Sequence, residues 1–406
     1  MPTSMSSTQR LRTNKTSLYQ APLLWLTNIV LVHAVAVGFS QDLLAQNEID
    51  FSEVEQFLQD SVDQKKVAGG AVLLIQGDAI LFETGFGFSH VNSQKPFTVD
   101  TPGVIASISK PMQGTVIFKL VEQGKLEMDR PIDTYLPKFG DAKLVTGKTI
   151  PRAPMLKELL THTSGTRRDD DPQGRPWFAE WTKNQPLSVV VDRYASDYPF
   201  KAAPGTKYGY SGIGTDIAAR VAEVASGKSR NELLVESLCQ PLGMHDTFYW
   251  DNLRTKAYDM PTRYYIGSET KKLRVYKQRP YPEPNTYSSS GGSIISTVHD
   301  MSRWLKMIRD EGKLDGVQYL KPETIQAMLQ TTSIGKNAYC GFFVRERDDV
   351  GGIKRIGHTG SSGTNCWIDY EHNCIGIMLT QTRGKDIKAF RIELEKRLMQ
   401  CIARGR

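Results

Sequence analysis

The 406-residue chain is 39% hydrophobic and 23% charged, which is enough apolar content for one large domain or two sharing a core. Its formal charge of +7 falls to +4 when residues 1–40, with Arg10, Arg12, Lys15 and no acidic residue, are set aside. So mild a charge argues against nucleic acid as the main partner.

Residues 1–40 read as a secretory signal peptide. A basic segment precedes an apolar run from Ala21 to Phe39, and Gly38 and Ser40 are small residues suited to cleavage, with Ala45 a second candidate. The expectation is a secreted or periplasmic protein. Membrane attachment follows only if this segment stays uncleaved as an anchor, and Pro22, Asn28 and His33 make it a poor spanning helix.

Beyond it, Asp50–Gln64 has helical periodicity, with Val54, Phe57 and Leu58 on one face. Gly70–Ile75 and Ala79–Phe86 read as a strand pair around Gly77-Asp78. The middle predicts helices over 107–123, 155–161, 188–195, 213–226, 229–238 and Val298–Arg309, with Gly124, Gly227 and Pro241 as stop signals. Strands return at Tyr339–Arg345, Ile353–His358, Asn365–Tyr370 and Cys374–Thr380, and Lys385–Cys401 predicts a final helix. Strands at both ends around a helical middle point to an α+β fold, an antiparallel sheet completed by both chain ends with a mostly helical insertion. The basic alternating stretch Lys271–Arg279 predicts a hairpin with a solvated face. The segment 263–284 is balanced between lining a cleft and forming a solvated flap.

The five cysteines and seven histidines show no metal-ligand or redox spacing, so neither a metal nor a cofactor is indicated. Cys366 and Cys374 could face each other across a hairpin. Chemistry is carried instead by Ser107-Ile108-Ser109-Lys110-Pro111. Positions i and i+3 share a helix face, so the Ser107 hydroxyl and Lys110 amine come within hydrogen-bond reach. A neutral lysine there can take the serine proton. Pro111 sets the helix start close to Ser107, and the helix dipole would then disfavour a proton on Lys110. Tyr208-Gly209-Tyr210-Ser211-Gly212 enters a second helix, and a tyrosine near a lysine ammonium can serve as a base. The Gly212-x-Gly214 within it lacks the preceding strand and following acid of a dinucleotide loop. His358-Thr359-Gly360-Ser361 ends a predicted strand. Gly360 permits close backbone approach, and the Ser107 and Ser361 amides could form an oxyanion hole.

Ser-x-x-Lys, then Tyr-x-Asn, then Lys/His-Thr-Gly is the motif order of serine β-lactamases and penicillin-binding proteins, and this chain resembles their class C-type branch, with its esterases and D-aminopeptidases. Gly85-Phe86-Gly87-Phe88, Leu159 to Gly165 (Leu-Leu-Thr-His-Thr-Ser-Gly), Pro241-Leu242-Gly243-Met244 with Thr247, and Gly291-Gly292-Ser293 with Asp300-Met301 also fit, from about Phe51 to Arg397. The resemblance implies a β-lactamase/transpeptidase-like catalytic domain over 41–406, with a sheet subdomain of 41–106 and 290–406 and a helical subdomain of 107–289. It implies Ser107 as acylated nucleophile, Lys110 as its activator, Tyr210 as proton shuttle, and His358 positioning Tyr210 and substrate. Substrate contacts would come from Thr359, Gly360 and position 212. His162 reads as structural. No cofactor is implied, and oligomeric state is left open.

This chain departs from the pattern at Gly212, where the family usually has an Asn that hydrogen-bonds substrate amides and the lysine. Losing that anchor ranks ester-like hydrolysis ahead of β-lactamase or D-Ala-type peptidase action. A catalytically weak, penicillin-binding-like protein is the alternative of another class.

Overall fold

Strands from both chain ends build one sheet. The computed structural model describes residues 49–405 apart from 177–178, 183–184, 268–271 and 277–286. The expected signal segment and part of the basic stretch Lys271–Arg279 lie outside the described residues. Helix α1 (Ser52–Asp63) leads into β1 (Gly69–Gln76), β2 (Ala79–His90) and the short β3 (Lys95–Pro96). The helical middle contributes α2 (Ser109–Glu122), α3 (Gly212–Ser226) and α4 (Val298–Arg309). Then come β4 (Phe343–Arg347), β5 (Ile353–Thr359), β6 (Asn365–Asp369), β7 (Cys374–Thr380) and the last helix α5 (Asp386–Arg404). The strands form a seven-stranded antiparallel sheet in the order β4-β5-β6-β7-β1-β2-β3. Its two halves join where Gly70 faces Thr380 and Gln76 faces Cys374. Among the described residues no helix is long and apolar enough to cross a membrane.

Strand β1 is apolar throughout because both faces of the sheet are covered. Ala71, Leu73 and Ile75 enter a core with Met112 of α2 and Trp304 of α4. Val72 and Leu74 enter a second core with Val54 and Leu58 of α1 and Phe390, Leu394 and Leu398 of α5. Each such buried leucine contributes roughly 1.5–3 kcal/mol. The sheet is thereby a rigid wall, and the end of β5 and the start of α2 are fixed against it.

Four expectations are corrected by the backbone. The strand expected from Tyr339 starts at Phe343, because residues 338–342 close a turn with Ala338 N donating to Phe342 O at 2.7 Å and Gly341 at φ +103°. The helix expected over 229–238 is α-helical only at Arg230–Leu234 and continues as a π turn at Val235–Cys239. Cys374 pairs in register with Asp369, and Cys366 with Ile377, so the two thiols are not opposite one another; all five cysteines are free and buried. Helix α2 itself begins at Ser109, after a 3-10 turn over Ala106–Ile108 that carries Ser107.

Candidate active site

Ser107 sits on a strained turn. Ala106, just before it, has φ +49°, a left-handed conformation unfavourable for a residue with a Cβ. The turn then tightens into α2, whose first residues are Ser109, Lys110 and Pro111. Proline is accommodated there because first-turn N–H groups have no intrahelical partner. Ser109 Oγ accepts from Ile294 N at 3.0 Å and ties the helix start to the neighbouring loop. On the next turn, Lys110 Nζ donates to Ser107 Oγ at 3.4 Å and to Gly291 O at 2.8 Å, and stands 4.8 Å from the Tyr210 ring centroid.

The direction of the Lys110 shift overturns one expectation. Burial opposes its ammonium, but Tyr210, Asp169 and Asp216 outweigh burial, and the pKa is raised above 10.5. The helix dipole does not win. Lys110 is a cation through the neutral range, so it stabilises neighbouring negative oxygen rather than accepting a proton at rest.

Tyr210 is carried by the loop leading into α3, and that loop is pinned by the His162 motif. Gly209 N donates to His162 O at 2.7 Å, and Ser211 N donates to His162 Nδ1 at 3.2 Å. Ser211 then caps α3 by accepting from Gly214 N at 3.2 Å. The His162 ring lies 4.4 Å from that of Tyr210 by centroid. His162 itself holds φ +59°, which a packed loop must enforce. On the other side, His358 lies 6.4 Å from the Tyr210 ring, and its Nδ1 contacts Thr359 O at 2.9 Å. Burial, then Lys110, push His358 down to about 3, so it is neutral. Burial, then Lys110 and His358, also hold His162 well below 6.5. Both imidazoles are neutral packing partners of Tyr210.

Part of the expected set meets at one cavity of about 330 Å3. Ser107, Lys110, Tyr210 and Ser361 line it, while His358, Thr359, Gly360 and Gly212 do not. Gly360 works from behind. A Cβ there would lie 2.4 Å from Ile105 O and 3.1 Å from Ala106 Cβ, so only glycine lets the end of β5 approach the nucleophile turn. That approach carries Ser361 to the cavity wall. Arg263, Tyr264 and Tyr276 line the cavity as well, so these residues of segment 263–284 lie on the cleft side.

Three acid–base residues were not visible as site residues in the sequence. Asp169 lines the cavity beside Tyr210, its N donating to Tyr210 O at 2.9 Å and its Oδ1 accepting from Gly212 N at 2.7 Å. Asp216, on the buried face of α3, accepts from Tyr287 Oη at 2.6 Å and Ser290 N at 2.6 Å. Arg230 donates to Ser288 O at 2.5 Å and to Ser290 Oγ at 2.8 Å, and pairs with Asp251 at 2.5 Å. Asp216 and Arg230 therefore fix residues 288–290, and through them the Gly291 carbonyl that holds Lys110. The one sequence signal was Asp216 itself, an acid on an otherwise apolar helix face.

Residues 54–397 match the Beta-lactamase family. The D-alanyl-D-alanine-carboxypeptidase/endopeptidase AmpH of Escherichia coli K12 is 28% identical over 296 residues, covering 72% of this chain and 69% of AmpH. Among solved structures, EstCE1, a hydrolase with promiscuous acyltransferase activity, superposes with a TM-score of 0.70 at 19% identity, covering 82% of this chain and 93% of that one. The octameric penicillin-binding protein homologue of Pyrococcus abyssi gives 0.66 at 21% identity, covering 85% and 78%. The last two likenesses are of fold. With the family match spanning nearly all of the described chain, this protein belongs to the beta-lactamase family and is a serine hydrolase with the β-lactamase/transpeptidase-like fold.

Proposed function

We propose that the protein hydrolyses small esters or amides through an acyl-enzyme on Ser107, with esters ranked first. The observation that carries this reading is the convergence of Ser107, Lys110, Tyr210 and Ser361 on one cavity, with Lys110 Nζ 3.4 Å from Ser107 Oγ. As Ser107 Oγ bonds to the substrate carbonyl carbon, its proton passes to the Tyr210 oxygen. Tyr210 receives it in the phenolate form, beside which the Lys110 ammonium stands, and the negative charge passes to the substrate's carbonyl oxygen. The Ser107 and Ser361 amides hold the carbonyl oxygen; the Ser361 N–H makes no hydrogen bond to any described residue, which leaves it free for that use. Tyr210 then protonates the leaving oxygen or nitrogen as its bond to carbon breaks. Water repeats the sequence in reverse roles and releases the acid and free Ser107.

Ester substrates rank first because Gly212 offers no side-chain amide to anchor an acylamide group. The peptidase reading stays second on the strength of the AmpH likeness. The N-terminal segment 1–40 supports an exported protein. A fluorophosphonate probe tests the nucleophile: wild type takes the label and Ser107→Ala takes none. An unlabelled wild type would sink the enzyme reading. p-Nitrophenyl acetate against a chromogenic cephalosporin tests the ranking, which fails if only the cephalosporin is cleaved. The oxyanion role has its own check. Gly360→Val should displace the turn bearing Ser361 and cut p-nitrophenyl acetate hydrolysis on the order of 100-fold, the cost of a misplacement near 1 Å. A wild-type rate would remove Ser361 from the mechanism.

A further inference from the structure

The cavity has two unlike flanks. Lys110, just after the nucleophile in the chain, leads to Tyr210, which packs with His162, Phe343 and His358. Asp169 is the one acidic side chain among the described lining residues, and it belongs to that flank. Its N donates to Tyr210 O at 2.9 Å, and Arg175 is its electrostatic neighbour. Val104 and Ala106, just before the nucleophile, lead the other way, into a cluster with Trp250. There the Arg263 guanidinium carbon lies 5.4 Å from the Trp250 ring centroid and 5.5 Å from that of Tyr276. The Arg383 guanidinium carbon lies 4.4 Å from the same Tyr276 centroid. Trp250, Arg263, Tyr276 and Arg383 all line the cavity. The backbone fixes both arginines. Thr382 and Arg383 pair in parallel with Tyr264 and Tyr265, and Thr382 Oγ1 accepts from Ala68 N at 2.9 Å. Tyr276 N donates to Arg263 O at 2.7 Å. Two guanidiniums thus lean on one ring, while the acid of the described lining stands on the other flank. Positive charge held in this way, inside a cleft, is suited to an anionic group.

We infer that Arg383, together with Arg263, binds a carboxylate at the far end of the acyl group, so that half-esters of short dicarboxylic acids are preferred over neutral esters. This rests on the acyl-enzyme reading above and names the substrate class of that same site. Tyr210 returns the proton to the leaving group, so the leaving group lies on the Tyr210 flank. The acyl chain then runs across Ser107 toward Trp250 and the two arginines. A cavity of about 330 Å3 suits a short chain. The planar guanidinium fork matches both oxygens of a carboxylate, and such charge-assisted pairs are stronger than neutral hydrogen bonds. A carboxylate on the leaving group would instead lie on the flank that carries Asp169, away from Arg383 and Arg263.

The test measures kcat/KM on the purified full chain for monoethyl succinate, glutarate and adipate against ethyl butanoate, pentanoate and hexanoate, their neutral partners of equal acyl length. Wild type should favour at least one half-ester over its partner by roughly tenfold or more, the usual weight of a hydrogen bond to a charged group. 4-Acetoxybutanoate against butyl acetate moves the carboxylate to the leaving side, where no such preference is expected. Arg383→Met should lower the half-ester preference by roughly tenfold. Arg383→Lys keeps the charge and should retain part of the preference, which a merely structural arginine would not predict. Each preference is a ratio read on one enzyme sample, so any loss of folded protein cancels. Equal rates in wild type overturn the inference without any variant. So does a ratio unchanged in Arg383→Met, or a preference as large for 4-acetoxybutanoate as for the half-esters. Fluorophosphonate labelling separates the two readings. Labelling at Ser107 with no half-ester preference removes the arginine site alone, whereas no labelling and no turnover removes both.

Discussion

Lys110→Ala is expected to slow acylation of Ser107 by roughly 10²–10⁴-fold, the usual range for losing a group that assists proton transfer. The lysine is 5% exposed and has three neighbours that favour its charge, so what is lost is a buried ammonium. Without it no cation stands beside the Tyr210 phenolate that receives the proton leaving Ser107. Burst kinetics with p-nitrophenyl acetate measure the step directly, and a wild-type burst in the variant would assign activation to another group. The wild-type pH profile discriminates further. A lysine acting as neutral base with a depressed pKa would make acylation rise as it deprotonates near neutrality. A lysine raised above 10.5 produces no such rise in that range, so a limb near neutrality assigned to Lys110 would contradict the structure. Lys110→Arg should recover little, because the planar guanidinium does not reproduce a compact ammonium bonded to both Gly291 O and Ser107 Oγ.

What was legible in the sequence divides along one physical line. Chemistry that needs fixed residue types at short spacing could be read directly. Ser107 and Lys110 are a helical turn apart, whereas Gly360, expected to let the backbone approach a ligand, is bare because the nucleophile turn passes against it. Elements buried along a clear period could also be read, such as β1, covered on both faces, and α4, whose bounds match the pattern. Interactions between distant segments could not. The charge state of Lys110 is decided by Tyr210, Asp169 and Asp216, each about a hundred or fewer positions away in sequence but adjacent in space, whereas only the helix dipole is local. Asp169 sits in the run Arg167-Arg168-Asp169-Asp170-Asp171, and such runs ordinarily form solvated loops. Arg168 pairs with Asp170 and Arg167 with Asp171, which leaves Asp169, the first of the three acids, to turn inward. Strand register is likewise invisible to spacing. A short loop between β6 and β7 suggested that Cys366 and Cys374 were opposite, but the register places Cys374 against Asp369.

Arg230 gives the second large expected effect, and it joins stability to catalysis. Its guanidinium and the Asp251 carboxylate are 7% and 5% exposed as side chains, and they pair at 2.5 Å. Removing one partner of such a pair leaves a buried charge uncompensated, so Arg230→Ala is expected to cost about 3–5 kcal/mol. A lower midpoint in urea or heat denaturation reads that loss. The same substitution also frees Ser288 O and Ser290 Oγ, which Arg230 holds at 2.5 and 2.8 Å. Asp216 still holds the segment through Ser290 N, and the next carbonyl, Gly291 O, is the one that positions Lys110. Acylation should therefore fall beyond what the unfolded fraction explains. The double variant Arg230→Met with Asp251→Leu separates the two effects. Apolar replacement of a whole buried pair is often neutral or stabilising, so the melting midpoint should recover. The hydrogen bonds to residues 288 and 290 do not return with methionine, so the acylation rate should stay low. If activity recovered together with stability, Arg230 would be a structural residue alone, and the link from the buried ion pair through Gly291 to Lys110 would carry no catalytic weight.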